Sequence, residues 1–264
     1  MLVESVQTRK QSMKIYLNGD SHTAGAATYK NYCFANDDPE YSHLGELAHP
    51  KCLQLSYGYV LAKILNAEFF CEAISASSNS RILRKTNEFL NKKLRGELIV
   101  VIGWSTWERE EWLYNDNYYQ VNGSGTDMVP RELEEQYKQW VTEQTRNNIY
   151  SKSLEWHDKI YELHKHLDSR NIKHLFFNSY AHFHKVPELD WHGCYLDPYS
   201  SEGTYWNWCK NQGYKLQDDV SHYGKDAHIA WAKFLLHRLT DTTNSSSIVT
   251  VRSANINRTL RVKK

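Results

Sequence analysis

Apolar residues recur along the chain in two alternating rhythms. Ile15-Tyr16-Leu17 is a short β-prone run that stops at Asn18-Gly19, the pattern of a buried strand entering a tight turn. Leu53, Tyr57, Val60, Leu61 and Ile64 then repeat at helical spacing, predicting one helix capped by Pro50. Residues 67–74 (AEFFCEAI) predict a second strand, and SASSNSRILRKTNEFL predicts a helix carrying Ile82, Leu83, Phe89 and Leu90 behind small polar residues. Glu97 to Gly103 is the most continuous apolar run in the chain and predicts a central parallel strand. Two apolar stripes follow, Leu133-Tyr137-Trp140-Val141 and Trp156-Ile160-Leu163-Leu167, with a break near Arg146 to Asn148. Lys173 to Tyr180 reads as a further strand, and Ala227, Ala230, Trp231, Phe234 and Leu235 mark a C-terminal helix. Strands alternating with helices at this spacing imply βαβ units, hence an α/β fold with a parallel sheet and helices on both faces.

Ligands of such sheets bind at the carboxyl ends of the strands. Three small-residue turns lie there, around Ser21, Ala76 and Ser105, so three separated stretches are expected to meet in one crevice. A serine on a sharp turn between strand and helix exposes its hydroxyl and aims its backbone N–H outward, as an acyl-transfer nucleophile requires. A matching base stands before the last helix, where Asp219 and His222 are separated by two residues. That spacing lets the carboxylate reach the imidazole Nδ1–H and fix its tautomer. An ordinary strand turn at Ser21 and a simple helix cap at His222 are the competing structural readings.

Composition narrows the function classes. At 264 residues the chain suits one large α/β domain, and its net charge of +1 gives no electrostatic footprint for nucleic acid or an anionic membrane. The five cysteines form no C-x-x-C pair and read as free thiols in a reducing compartment. No signal-peptide pattern and no stretch near ~18 apolar residues is present, so a soluble protein without a signal peptide is expected.

The ordered blocks GDSH, SASSN, IGWS and DVSH resemble those of the SGNH/GDSL hydrolase family over about residues 13 to 239, with IGWSTWER and AHIAWAKFL more similar to members encoded by tailed bacteriophages. The resemblance implies a three-layer α/β/α sandwich with a flavodoxin-like, mainly parallel sheet. It also implies serine ester hydrolysis without a cofactor or metal. Carried over by position, Ser21 is the nucleophile, His222 the base and Asp219 the orienting acid. The oxyanion hole falls on the backbone N–H groups of Ser21 and Ala76 and on Ser105, where the family has Gly and Asn at the last two positions. An Ala at that Gly position works only if its φ is not positive. Asn79 is an alternative donor from the neighbouring turn, though capping the next helix is its natural role.

Aromatic residues crowd two segments, 104–129 and 181–217, read as loop insertions that border the crevice. Trp104 and Trp107 are expected to bind substrate there, an acylated carbohydrate being the class suited to flat aromatic faces. Arg109 could hold a substrate carboxylate, or pair on the surface with Glu108 or Glu110. The run His182, His184, Asp190 and His192 has no established metal-ligand spacing, and His164 and His166 read as solvated surface residues of the long helix.

Residues 1–12 read as a flexible leader, 13–240 as the hydrolase domain and 241–264 as a basic arm that could drive oligomer or virion assembly. A host-cell cytoplasmic or virion-associated protein is expected, with a glycan or small-molecule ester as its partner and neither nucleic acid nor membrane. The competing function is a non-enzymatic structural or glycan-binding module of a phage particle.

Overall fold

The computed structural model describes residues 12–93, 95–123, 125, 129–217 and 222–241. Four strands, β1 (Lys14–Asn18), β2 (Glu68–Cys71), β3 (Leu98–Trp104) and β6 (Lys173–Asn178), form one sheet in the order β2-β1-β3-β6. All its pairings are parallel, with Tyr16 opposite Phe70 on one side and Val100 on the other. The first strand thus lies between the second and third, the flavodoxin-like arrangement whose switch point opens beside β1.

The pleat sends alternate residues to opposite faces. Ile15 and Leu17 join Ile99, Val101, Leu175 and Phe177 in one core, completed by Tyr57 and Leu61 of α3 (Tyr57–Leu65) and by Trp231 and Leu235 of α8 (Lys225–Asp241). Tyr16, Val100, Ile102 and Phe176 enter the second core with Ile82 and Phe89 of α4 (Asn79–Leu90) and Trp156, Ile160 and Leu163 of α6 (Arg146–Ser169). The result is a three-layer α/β/α sandwich.

Where the structure departs from the pattern, local chemistry explains it. The single helix expected behind Pro50 is two, α2 (Pro50–Leu53) and α3, because Ser56 takes an extended conformation and its side chain accepts from Tyr59 N–H as the cap of α3. The aromatic segment 104–129 is not a bare loop. It folds back as an antiparallel hairpin, β4 (Glu110–Tyr114) with β5 (Asn117–Val121). Val121, Trp112, Tyr137 and Trp140 bury one another against α5 (Glu134–Thr142) in a separate small core. The hairpin is fastened to α4 by the two-pronged pairing of Arg84 with Glu111, at 2.9 and 2.7 Å. The segment 181–217 contains a helix of its own, α7 (Tyr205–Asn211). Residues 1–11 and 242–264, which hold the leader and nearly all of the basic arm, lie outside the described residues. No helix among those described is long and apolar enough to cross a membrane.

Candidate functional site

Ser21 opens α1 (Ser21–Ala24) directly beyond the carboxyl end of β1. The turn that delivers it needs Gly19, since a Cβ there would lie 2.0 Å from Thr23 Oγ1 and 2.7 Å from Gly103 O. Asn18, fully buried, fixes the approach: its amide donates to Ile82 O at 2.9 Å and accepts from Gly19 N–H at 2.9 Å. Asp20 caps α1 by accepting from His22 N–H at 3.1 Å. As the first residue of the helix, Ser21 has a backbone N–H with no intrahelical acceptor, so it can serve a ligand.

His222 reaches the same place from the other end of the chain. Its ring lies 5.2 Å from that of His22, the immediate neighbour of Ser21. Asp219 lies outside the described residues. His22 also faces Tyr205, at 5.4 Å, and His228 lies close behind. The His228 ring stacks on Tyr57, and its Nδ1 accepts from Tyr57 N–H at 3.1 Å. The Tyr57 hydroxyl in turn donates to Thr23 at 2.7 Å. Burial, with smaller contributions from His22 and His222, pushes the pKa of His228 down to about 3, so this imidazole stays neutral.

The other two turns are tied to this point by side chains. Asn79 Nδ2 donates to Ser105 O at 3.2 Å and Thr106 O at 3.3 Å, and Asn79 Oδ1 accepts from Ser105 N–H at 2.8 Å. Both amide hydrogens are thereby used, so Asn79 holds the β3 exit loop and is not free to act as the alternative oxyanion donor. Arg109 bridges the Ser105 and Ser21 turns. Its Nη1 donates to Ser105 Oγ at 2.8 Å and lies 3.6 Å from the buried Asp20 carboxylate. Its ion-pair partner is therefore Asp20, and not Glu108 or Glu110. Because Ser105 Oγ accepts from a guanidinium, its own O–H proton is left to donate, which suits a third oxyanion contact.

Ala76 has φ 58, the left-handed conformation that disfavours a side chain. The condition under which Ala replaces Gly without strain is thus not met, although its N–H remains. Trp104 is fully buried in the second core, and Trp107 stacks on Phe183 at 4.5 Å while donating its indole N–H to His182 O. Both rings belong to the interior and not to an open substrate surface. Trp191, Tyr195 and Tyr205 are buried as well. The aromatic surface at the strand ends comes instead from Tyr180, 48% exposed, tilted against Trp206 at 5.3 Å and placed just beyond β6.

Sequence reasoning passed over His22 and the bridging role of Arg109, and it counted Tyr205 among the aromatic residues bordering the crevice without its contact to His22. His22 could have been found from its place beside Ser21 in GDSH. The contacts of Tyr205 and Arg109 span long loops and leave no local periodicity.

Compared with known proteins, the chain matches a family model described as "Family of unknown function (DUF6071)" over residues 37–212. That span carries Ala76, Asn79, Ser105 and Arg109 and leaves Ser21 and His222 outside it. No curated protein matches. Among solved structures the chain is similar to an acetyl xylan esterase, Est2A, from the rumen bacterium Butyrivibrio proteoclasticus, at 17% identity and a TM-score of 0.41, covering 89% of this chain and 65% of that one. It is similar to a carbohydrate esterase whose active site displays divergent catalytic and non-catalytic binding functions, at 15% identity and a TM-score of 0.43, covering 88% and 66%. It is also similar to a putative lipolytic protein of the G-D-S-L family from Desulfitobacterium hafniense DCB-2, at 13% identity and a TM-score of 0.35, covering 85% and 98%. The chain spans just under two thirds of the length of the first two.

Proposed function

The chain belongs to the DUF6071 family, and we propose that it is a serine ester hydrolase acting through Ser21. The observation that carries this reading is the meeting of chain ends: Ser21 opens a helix at the carboxyl end of β1, and the His222 ring stands 5.2 Å from the ring of its neighbour His22. His222 takes the Ser21 Oγ proton as that oxygen bonds to the ester carbonyl carbon. The oxyanion is held by the N–H groups of Ser21 and Ala76 and the hydroxyl of Ser105. The intermediate collapses, the C–O bond to the alcohol breaks, and His222 returns the proton to the departing oxygen. Water then attacks the acyl-enzyme, His222 takes its proton, and Ser21 leaves reprotonated. Asp219, from its place in the DVSH block, is the residue we assign to orient His222. Tyr180 and Trp206 offer a face for a sugar ring, which favours an O-acylated carbohydrate among ester substrates.

One observation favours a second reading, a glycan-binding module of a phage particle that lacks catalysis: Ser105 stands where the SGNH/GDSL hydrolases that the chain resembles have an Asn donor, and the nearby Asn79 is fully engaged. Hydrolysis of a short-chain aryl ester separates the two. The esterase reading expects wild type to turn over, with Ser21→Ala and His222→Ala each slowed by at least about 1000-fold. Equal inertness of wild type and Ser21→Ala would reject it.

A further inference from the structure

Three side chains able to ligate a metal converge at the edge of the sheet opposite Ser21. His174 lies near the amino end of β6 and His164 on α6, while Cys194 belongs to the extended stretch that pairs with β6 through Tyr195 and Phe176. One nitrogen of each imidazole and the Cys194 sulfur all lie within 4.8 Å of one another. The sequence pattern gave the run His182, His184, Asp190 and His192 no established ligand spacing, and it read His164 as solvated. His164 is in fact buried, because the helix face that carries it packs onto β6 beside Leu163 and Leu167. Among the described residues the cluster that assembles is His164, His174 and Cys194.

We propose that His164, His174 and Cys194 form a binding site for a divalent transition metal, with Zn²⁺ as the ion their nitrogen and sulfur ligands suit best. His174 Nδ1–H donates to Ile172 O at 2.8 Å, which leaves Nε2 as the ring's lone-pair nitrogen. This is the outer hydrogen bond by which proteins orient a ligating imidazole. That Nε2 faces His164 Nδ1 at 2.8 Å. Binding replaces this nitrogen-to-nitrogen hydrogen bond: two metal–nitrogen bonds and one metal–sulfur bond form. The S–H bond breaks and its proton goes to solvent; the His164 proton that made the hydrogen bond leaves Nδ1 and Nε2 takes one up from solvent, so the ring stays neutral with Nδ1 free to ligate. A water completes a tetrahedral set from the half-buried Cys194 side.

The site is rigid before any ion arrives. Phe176 N–H donates to Cys194 O at 2.7 Å and Leu196 N–H to Phe176 O at 2.9 Å, clamping both sides of Tyr195 to the strand. Burial pulls the pKa of His174 down to about 4 and lowers that of His164, so both rings carry the lone pairs a metal needs. Asp168 and Asp190 act on His164 in the sense that favours positive charge, and Asp168 does so at the sulfur too. Lys173 opposes this at Cys194, where burial pushes the thiol up to about 11.

The proposal is independent of ester hydrolysis at Ser21. Full-length protein dialysed against a chelator is titrated with Co²⁺, then with Zn²⁺. We expect one equivalent of Co²⁺ to give a thiolate charge-transfer band and tetrahedral visible bands, both removed by one equivalent of Zn²⁺. Cys194→Ser should abolish the charge-transfer band, and His164→Gln should weaken Zn²⁺ binding on the order of 100-fold, with circular dichroism confirming that each variant is folded. Should either variant fail to fold, alkylation of the wild type decides: Zn²⁺ should protect Cys194 from iodoacetamide, read by peptide mass mapping. Absence of the band, its persistence in Cys194→Ser, or equal alkylation of Cys194 with and without Zn²⁺ would overturn the proposal.

Discussion

Replacing Asn79 by Ala separates a residue that builds the proposed oxyanion hole from one that belongs to it. Asn79 is fully buried at the first position of α4, and its amide makes three hydrogen bonds to residues 105 and 106. Alanine is at least as good a helix former, so helix propensity offsets nothing in that direction. Each lost hydrogen bond costs about 1 kcal/mol net, and Ser105 N–H is left buried without an acceptor, so the total should be about 3 kcal/mol. With a urea m-value of roughly 2 kcal/mol per molar, the denaturation midpoint should fall by about 1.5 M at unchanged slope. Aryl-ester kinetics on the folded variant should show a drop in kcat that Asn79→Asp, which keeps the acceptor for Ser105 N–H, partly restores. A fall in kcat of about 100- to 1000-fold with an unmoved urea midpoint would refute the reasoning, because that is the signature of a lost oxyanion donor.

Arg109→Met should lower kcat by about tenfold through loss of the bond to Ser105 Oγ, and should lower stability by about 2 kcal/mol because the Asp20 carboxylate is left buried beside Ser21; kinetics and urea denaturation read both. Ala76→Gly should raise stability by up to about 1 kcal/mol, since glycine relieves the positive φ, while hydrolysis stays unchanged; thermal unfolding checks it. His228 makes stability depend on acid. Its folded pKa of about 3 lies below an unfolded value of roughly 6.5, so its contribution is complete above pH 6.5 and is lost as pH falls towards 3. Between pH 7 and pH 5 that amounts to about 2 kcal/mol, and His228→Gln, which can still accept from Tyr57 N–H, should be less pH-dependent by that amount in denaturant titrations.

The sheet was legible because its signals are local. Ile15-Tyr16-Leu17 and the run from Glu97 to Gly103 are continuous and apolar, and a strand buried on both faces must be. The convergence of the Ser21 and Ser105 turns followed from parallel topology alone. What the pattern could not supply was the identity of partners across the fold. Trp104 and Trp107 looked like a substrate platform, yet aromatic residues at a loop start serve equally well as core, and only the packing against Phe176 and Phe183 decides. His164 repeats one residue from a helical stripe, and its burial depends on His174 ten residues later in a different element. Arg109 meets Asp20 from a hairpin that periodicity did not reveal.

The central claim is that Ser21 is a nucleophile activated in its crevice, and covalent capture tests it most directly. Full-length protein is treated with a serine-directed fluorophosphonate and analysed by intact mass and peptide mapping. The account predicts one adduct, on the tryptic peptide of residues 15–30, at Ser21, formed by wild type but not by Ser21→Ala and strongly slowed in His222→Ala. No adduct on folded wild type, or an adduct that survives Ser21→Ala, would contradict it.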